Sequence, residues 1–243
     1  MVSIIIPTLN EEEYLPLLLE SIKKQDFSDP DGSASGGNDY EIIVADAGSK
    51  DKTAQIAQQY GGRVIPGGMP GPGRNRGAAE AKGDVLLFLD ADVILPEGFL
   101  ASATKEFIRR DLGIAGFPII FQGTNMLQKA FNHAVNALLR LTGKIVPHAF
   151  MVIMVKKSVH EKIKGFDESV VMHEDFCYVL AAAKVSRFGV INQKAFTSFR
   201  RYEKDGWFAT NARYLLAEWY TLFVGPIRSD IFKYKFNHYK DKK

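Results

Sequence analysis

Residues 85–92 read Val85-Leu86-Leu87-Phe88-Leu89-Asp90-Ala91-Asp92. Five large apolar residues in a row, closed by carboxylates, fit a strand buried on both faces rather than one with a solvated side. Residues 2–6, ended by Pro7, and residues 41–45, ended by Asp46, are mostly β-branched runs that also read as strands. Between these runs, residues 11–24 carry Leu15, Leu18, Leu19 and Ile22 at helical spacing. A second helix begins near Asp51, and residues 63–65 make a short strand. A loop at 66–73 then precedes helical residues 74–81. This β-α-β-α-β alternation predicts an α/β fold, a doubly wound, mainly parallel sheet in a single domain. Ligands of such sheets bind beyond the carboxyl ends of the strands. Thr8, Asp46, Asp90 and Asp92 all stand at such ends and are expected to share one crevice.

The second half is less regular. Residues 97–109 read as a helix and 114–121 as one strand. In residues 126–141, Leu127, Phe131, Ala134 and Leu138 recur on one helical face, predicting an amphipathic helix. Residues 174–184 read as another helix. Residues 207–223 form a last, aromatic-rich helix stopped by Gly225-Pro226. Residues 28–39 (SDPDGSASGGND) have the composition of a flexible loop. The expected organisation is a domain over residues 1–205, in two halves (1–95 and 96–205), and then a C-terminal helix and tail over 206–243.

With 243 residues, 46% of them hydrophobic and 24% charged, the chain is large enough to bury a core and too apolar to be disordered. A net charge of +3 argues for no nucleic-acid partner. Residues 233–243 nevertheless hold five lysines against one aspartate, a solvated end or an anchor to an anionic membrane. The single cysteine, Cys177, permits no internal disulfide. The N-terminal residues lack the pattern of a cleaved signal. No stretch has the roughly 18 uninterrupted apolar residues of a bilayer span. The expected location is the cytoplasm, soluble or peripheral at the inner face of the membrane.

Two carboxylates directly after a buried strand repel each other and are poorly solvated unless a cation neutralises them. Hard oxygen ligands favour Mn²⁺ or Mg²⁺, which would also bridge a diphosphate. A solvated loop with two ordinary aspartates is the alternative. Asp46 can accept hydrogen bonds from a base or ribose, or can act as a helix cap. Residues 71–77 (Gly71-Pro72-Gly73-Arg74-Asn75-Arg76-Gly77) lie at the wrong place and spacing for a dinucleotide fingerprint. A glycine turn feeding a helix that opens with Arg74 and Arg76 suits a diphosphate, as it would suit a plain turn with surface arginines. Within His173-Glu174-Asp175, one carboxylate can take a proton from an attacking hydroxyl, or both can cap a helix. His148, His173, Arg200, Arg201 and Trp207 are candidates for contacts to an acceptor or a phosphate.

Taken together, these residues resemble the family 2 glycosyltransferases, over roughly residues 1–205. The resemblance is carried by residues 2–11 (VSIIIPTLNE), 43–53 (IVADAGSKDKT), 71–77, Asp90-Ala91-Asp92, residues 165–168 (GFDE) and Glu174-Asp175, in that order. It implies an inverting, metal-dependent enzyme of the GT-A fold that uses a UDP- or GDP-linked sugar. Pro7, Thr8 and Glu11 would border the nucleoside, Asp46 the base and Arg74 the diphosphate. Asp90 would lie near the ribose or metal, Asp92 would ligate Mn²⁺ or Mg²⁺, and Asp175 would be the catalytic base with Glu174 beside it. A proper Q-x-x-R-W element is absent after Arg200-Arg201, which argues against a processive polysaccharide synthase. Ala45-Asp46-Ala47-Gly48 stands where many members carry paired aspartates, leaving the nucleotide open.

The acceptor is a sugar hydroxyl or a polyprenyl-phosphate or other lipid-linked group. The aromatic helix over 207–223 either packs on the core or, with the lysine tail, meets a membrane surface. A non-catalytic nucleotide-sugar-binding protein is a competing class. A sugar-phosphate nucleotidyltransferase is disfavoured, because no glycine follows the first strand in residues 7–11.

Overall fold

The computed structural model describes residues 1–25, 40–122, 125–143, 145–149 and 151–232. The segment 28–39 and the lysine-rich tail at 233–243 lie outside the described residues. In chain order the elements are β1 (Val2–Thr8), α1 (Leu15–Lys23), β2 (Tyr40–Asp46), α2 (Thr53–Gln59), β3 (Arg63–Pro66), α3 (Pro70–Glu80), β4 (Val85–Leu89) and β5 (Val93–Ile94). Then come α4 (Phe99–Arg109), β6 (Ile114–Gly116), β7 (Ile119–Phe121), α5 (Met126–Thr142), β8 (Val152–Lys156), α6 (Lys157–Lys162) and α7 (Glu174–Ala183). The chain closes with β9 (Phe188–Val190), β10 (Ala195–Thr197), α8 (Arg200–Asp205) and α9 (Trp207–Phe223).

The main sheet runs β3-β2-β1-β4-β8-β6-β9. Its first four strands are parallel, and β8 is antiparallel to both of its neighbours. The mainly parallel, doubly wound sheet is therefore present, with one reversed strand. Alternation along each strand feeds two cores. Ile4, Ile6, Leu87, Leu89, Val152 and Met154 pack on one face of the sheet. Ile5, Leu86, Phe88, Ile153 and Val155 pack on the other.

Three expectations change. The stretch at 114–121 is two strands, β6 in the main sheet and β7 in a small sheet of order β5-β10-β7, divided at Phe117-Pro118. Proline supplies no amide to a ladder, so the strand breaks there. The glycine-rich stretch at 71–77 is not a turn but lies within α3, which starts at Pro70. Glycine serves close packing there. A Cβ on Gly77 would sit 2.3 Å from Ile5 Cγ2, and one on Gly73 would sit 3.3 Å from Pro7 Cβ. The amphipathic helix forms as α5, yet its apolar face points to solvent: Leu127 and Leu138 are exposed, and Leu139 is the buried leucine. Asn136 faces inward instead, exchanging hydrogen bonds with the Ile119 backbone.

Candidate active site

The loops after β1 and β2 are stitched together. Asn10 adopts a left-handed conformation (φ 53°). Its amide donates to Ser49 Oγ (2.8 Å), and its side-chain oxygen accepts from the Lys50 amide (2.7 Å). The Glu11 amide donates to Thr53 Oγ1 at 2.7 Å. Asp46 is spent largely on its own loop: its carboxylate accepts from the Gly48 and Ser49 amides and from Thr8 Oγ1 (3.1 Å).

Beside these loops opens a cleft of about 270 Å³ at the carboxyl end of β4. Pro7, Thr8, Glu11, Arg74, Asp90, Asp92, Glu174 and Asp175 all line it, as do His148, His173, Arg200 and Arg201. Asp46 does not line it, although Thr8, which donates to its carboxylate, and the adjacent Ala47 do. Trp207 is not brought to the cleft, its ring instead meeting Phe131 edge-on at 4.9 Å.

Arg74 is the hub. Its guanidinium is buried on α3 and donates to Asp90 Oδ1 (2.7 Å) and to Glu174 Oε1 (2.9 Å), joining residues 84 positions apart along the chain. It also lies 5.3 Å over the Phe166 ring. Burial alone would lower its pKa, but the charges of Asp90, Glu174 and Asp175 hold it above its ordinary value. Burial pushes the Asp90 carboxyl up to about 6 against the pull of Arg74, with Asp92 and Glu174 adding to the rise. Burial likewise raises Glu174, only partly offset by Arg74. The Nε of Arg74 is buried with no hydrogen-bond partner among the described residues.

A second arginine closes the other side. Arg200 makes a two-pronged pair with Glu11 (2.9 and 3.0 Å), reaches Asp92 Oδ2 through Nε (3.2 Å) and stacks 4.4 Å over the Tyr14 ring. Ser198 Oγ donates to Asp92 Oδ2 at 2.8 Å. On the far wall, His148 Nδ1 stands 3.4 Å from Glu218 Oε1. His173, in a left-handed conformation (φ 60°), stands at the N-cap position of α7 without a side-chain capping bond, and Glu174 and Asp175 follow it in the cleft lining. Burial, with His148 nearby, pushes its imidazole down to about 4, so it is neutral at pH 7. Ser198 and Glu218 do not stand out in the sequence, and Tyr214 does so only as part of the aromatic run of α9. Nothing in the local pattern of Ser198 and Glu218 marks them, because their partners lie far along the chain.

Among the described residues there is no cluster of three or more side chains able to hold a metal. Asp90 and Asp92 nonetheless fit a hard divalent cation, which typically takes one or two carboxylates and completes its shell with water and substrate phosphates.

The model of the family described as "Glycosyl transferase family 2" matches residues 3–164. The chain belongs to the family 2 glycosyltransferases. It is 35% identical over 98 residues to the poly(ribitol-phosphate) beta-N-acetylglucosaminyltransferase TarS of Staphylococcus aureus, a match covering 37% of this chain and 16% of that protein. The structure of TarS residues 1–349 with UDP-GlcNAc superposes with a TM-score of 0.65 at 22% identity, covering 81% of this chain and 58% of that one. The mannosyltransferase PcManGT of Pyrobaculum calidifontis, in complex with GDP-Man and Mn²⁺, gives a TM-score of 0.69 at 18% identity, covering 96% and 66%. These neighbours identify the fold as GT-A. The chain spans less than half the length of the curated relatives it matches.

Proposed function

We propose that this protein transfers a sugar from a UDP- or GDP-linked donor to an acceptor hydroxyl or lipid phosphate, with inversion at the anomeric carbon. The observation that carries this reading is that Arg74 ties Asp90, at the end of β4, to Glu174, at the start of α7. A donor-side carboxylate pair and an acceptor-side carboxylate pair thereby face one cleft. Family membership and the nucleotide sugars bound by the neighbouring structures support it.

In this reading Pro7, Thr8 and Glu11 border the nucleoside, and Asp46 acts through the loop it orders. Asp92, with Asp90 beside it, would hold Mn²⁺ or Mg²⁺, which when bound supplies positive charge to a leaving diphosphate. Arg74 offers fixed positive charge at the same place without reorganising during the reaction. Glu174 is committed to Arg74, so Asp175 is the carboxylate suited to accept the proton of the attacking acceptor oxygen. The acceptor oxygen bonds to the anomeric carbon as the bond to the diphosphate breaks. The proton passes to Asp175, and the electron pair leaves with the nucleoside diphosphate. His148, His173 and Arg201 line the acceptor side.

Thermal unfolding with UDP or GDP, in the presence and absence of Mn²⁺, tests this. Ligand at a hundredfold excess over its Kd stabilises by about 2.7 kcal/mol. The expected outcome is a rise in Tm with one nucleotide that chelator or Asp92→Ala abolishes. A shift indifferent to metal and to Asp92→Ala would overturn the cation assignment. No shift with any nucleotide would overturn the donor reading.

A further inference from the structure

We infer that α5 and α9 together form a surface that lies in the plane of an anionic membrane, with the cleft opening beside it. The supporting observation is a reversal of the usual amphipathic order. On α9 the buried residues are Thr210, Ala217 and Thr221. The large apolar residues Phe208, Leu215 and Trp219 recur on one helical face and are 78%, 64% and 63% exposed. On α5, Leu127, Leu138 and Leu141 do the same at 67%, 58% and 78% exposure, while Asn136 turns inward. The two helices meet where Phe131 packs edge-on against Trp207. Both apolar faces therefore belong to one area. A contiguous apolar surface of this kind marks an interaction site.

Charge selects the occupant. Helix α5 contains no aspartate or glutamate, and the one carboxylate of α9, Glu218, turns to His148 in the cleft wall. Along one flank of α5 runs a groove bordered by Lys129, His133, Arg140 and Lys194, with no carboxylate in its lining. Apolar rings and leucines flanked by cations match an acyl boundary beneath anionic headgroups. A second copy docked face to face would instead bring these cations together. No helix among the described residues is long and apolar enough to cross a membrane, so the contact is in-plane. Tyr214 and Glu218 of α9 line the cleft, so this helix would separate the site from the lipid.

Vesicle flotation with neutral phosphatidylcholine and with phosphatidylcholine containing phosphatidylglycerol tests the inference. The protein should float with the anionic vesicles and shift its tryptophan emission to the blue. Leu138→Ser with Trp219→Ser should weaken that binding by roughly tenfold or more at unchanged Tm. Lys129→Glu with Arg140→Glu should cost at least about tenfold on anionic vesicles alone. Absence of flotation and of any emission shift in the unaltered protein overturns the inference. So does a dimer that the Leu138→Ser, Trp219→Ser protein cannot form, if vesicles are ignored. Vesicle binding requires neither donor nor turnover, so it stands or falls apart from the transferase reading.

Discussion

Glu174 and Asp175 are adjacent, yet the fold gives them different surroundings. Glu174 is bonded to Arg74, whereas Asp175 accepts from the Phe176 amide at its own helix start. Asp175→Asn is therefore expected to keep the nucleotide-induced Tm shift while lowering kcat by the roughly 10²–10⁴-fold usual for a general base. Steady-state turnover beside thermal shift checks this, and an unimpaired variant would remove the assignment. Arg74→Met leaves Asp90 and Glu174 at the cleft floor without their counter-charge. Breaking a buried pair in this way costs about 3–5 kcal/mol, discounted for Asp90, whose side chain keeps 34% of its exposure. Urea unfolding of the metal-free protein should show a loss toward the lower end of that range. The candidate residues were legible one by one, because an acid at a strand end is visible in the chain. Their pairing was not: Arg200 reaches Glu11 and Asp92 across intervals that local pattern does not encode.

At the scale of elements, α3 shows how packing overrides a turn-like composition. Its glycines read as a loop because glycine is a poor helix former. They are tolerated because α3 lies against β1 more closely than any Cβ permits at residue 77. Gly77→Ala should thus destabilise by about 1–3 kcal/mol through overpacking on Ile5, despite alanine's better helix propensity. Gly71→Ala, whose Cβ would meet Phe166 Cβ no closer than 3.7 Å, should be neutral or stabilising. Paired denaturation curves decide it, and equal effects at both positions would refute the close-approach account. β8 was passed over although Val152-Ile153-Met154-Val155 is as apolar as β4. Its pattern was readable, but its antiparallel direction was not, because a run of apolar residues carries no sign.

For the whole molecule, acid should loosen the fold through a buried histidine that does not line the cleft. His160 is 8% exposed, contacts the Tyr178 hydroxyl through Nδ1 at 2.8 Å, and is pushed down to about 4 by burial, with Lys157 adding to it. In the unfolded chain it titrates near 6.5. Between those values the unfolded state binds the extra proton, so stability present above about 6.5 is lost as pH falls toward 4, on the order of 3 kcal/mol. Asp90 acts in the opposite sense. Raised to about 6, it favours the fold below its unfolded value near 4, and that contribution is lost as pH rises through 6. Comparing Tm against pH for the protein and for His160→Gln isolates the histidine. The variant's profile should be flatter between pH 4 and 6.5, and an unchanged slope would contradict the assignment.

The order of β1 to β4 with the helices between them, and the polar residues that follow β1, β2 and β4, were determined by the chain alone. Periodicity and strand-end chemistry are local properties. Tertiary structure decided which arginine neutralises which carboxylate, that Asp46 orders a loop beside the cleft, and that Trp207 stands outside it. It also decided that the apolar faces of α5 and α9 turn away from the core. Helical spacing defines a face but not its direction, because direction depends on what the rest of the molecule leaves there to cover it.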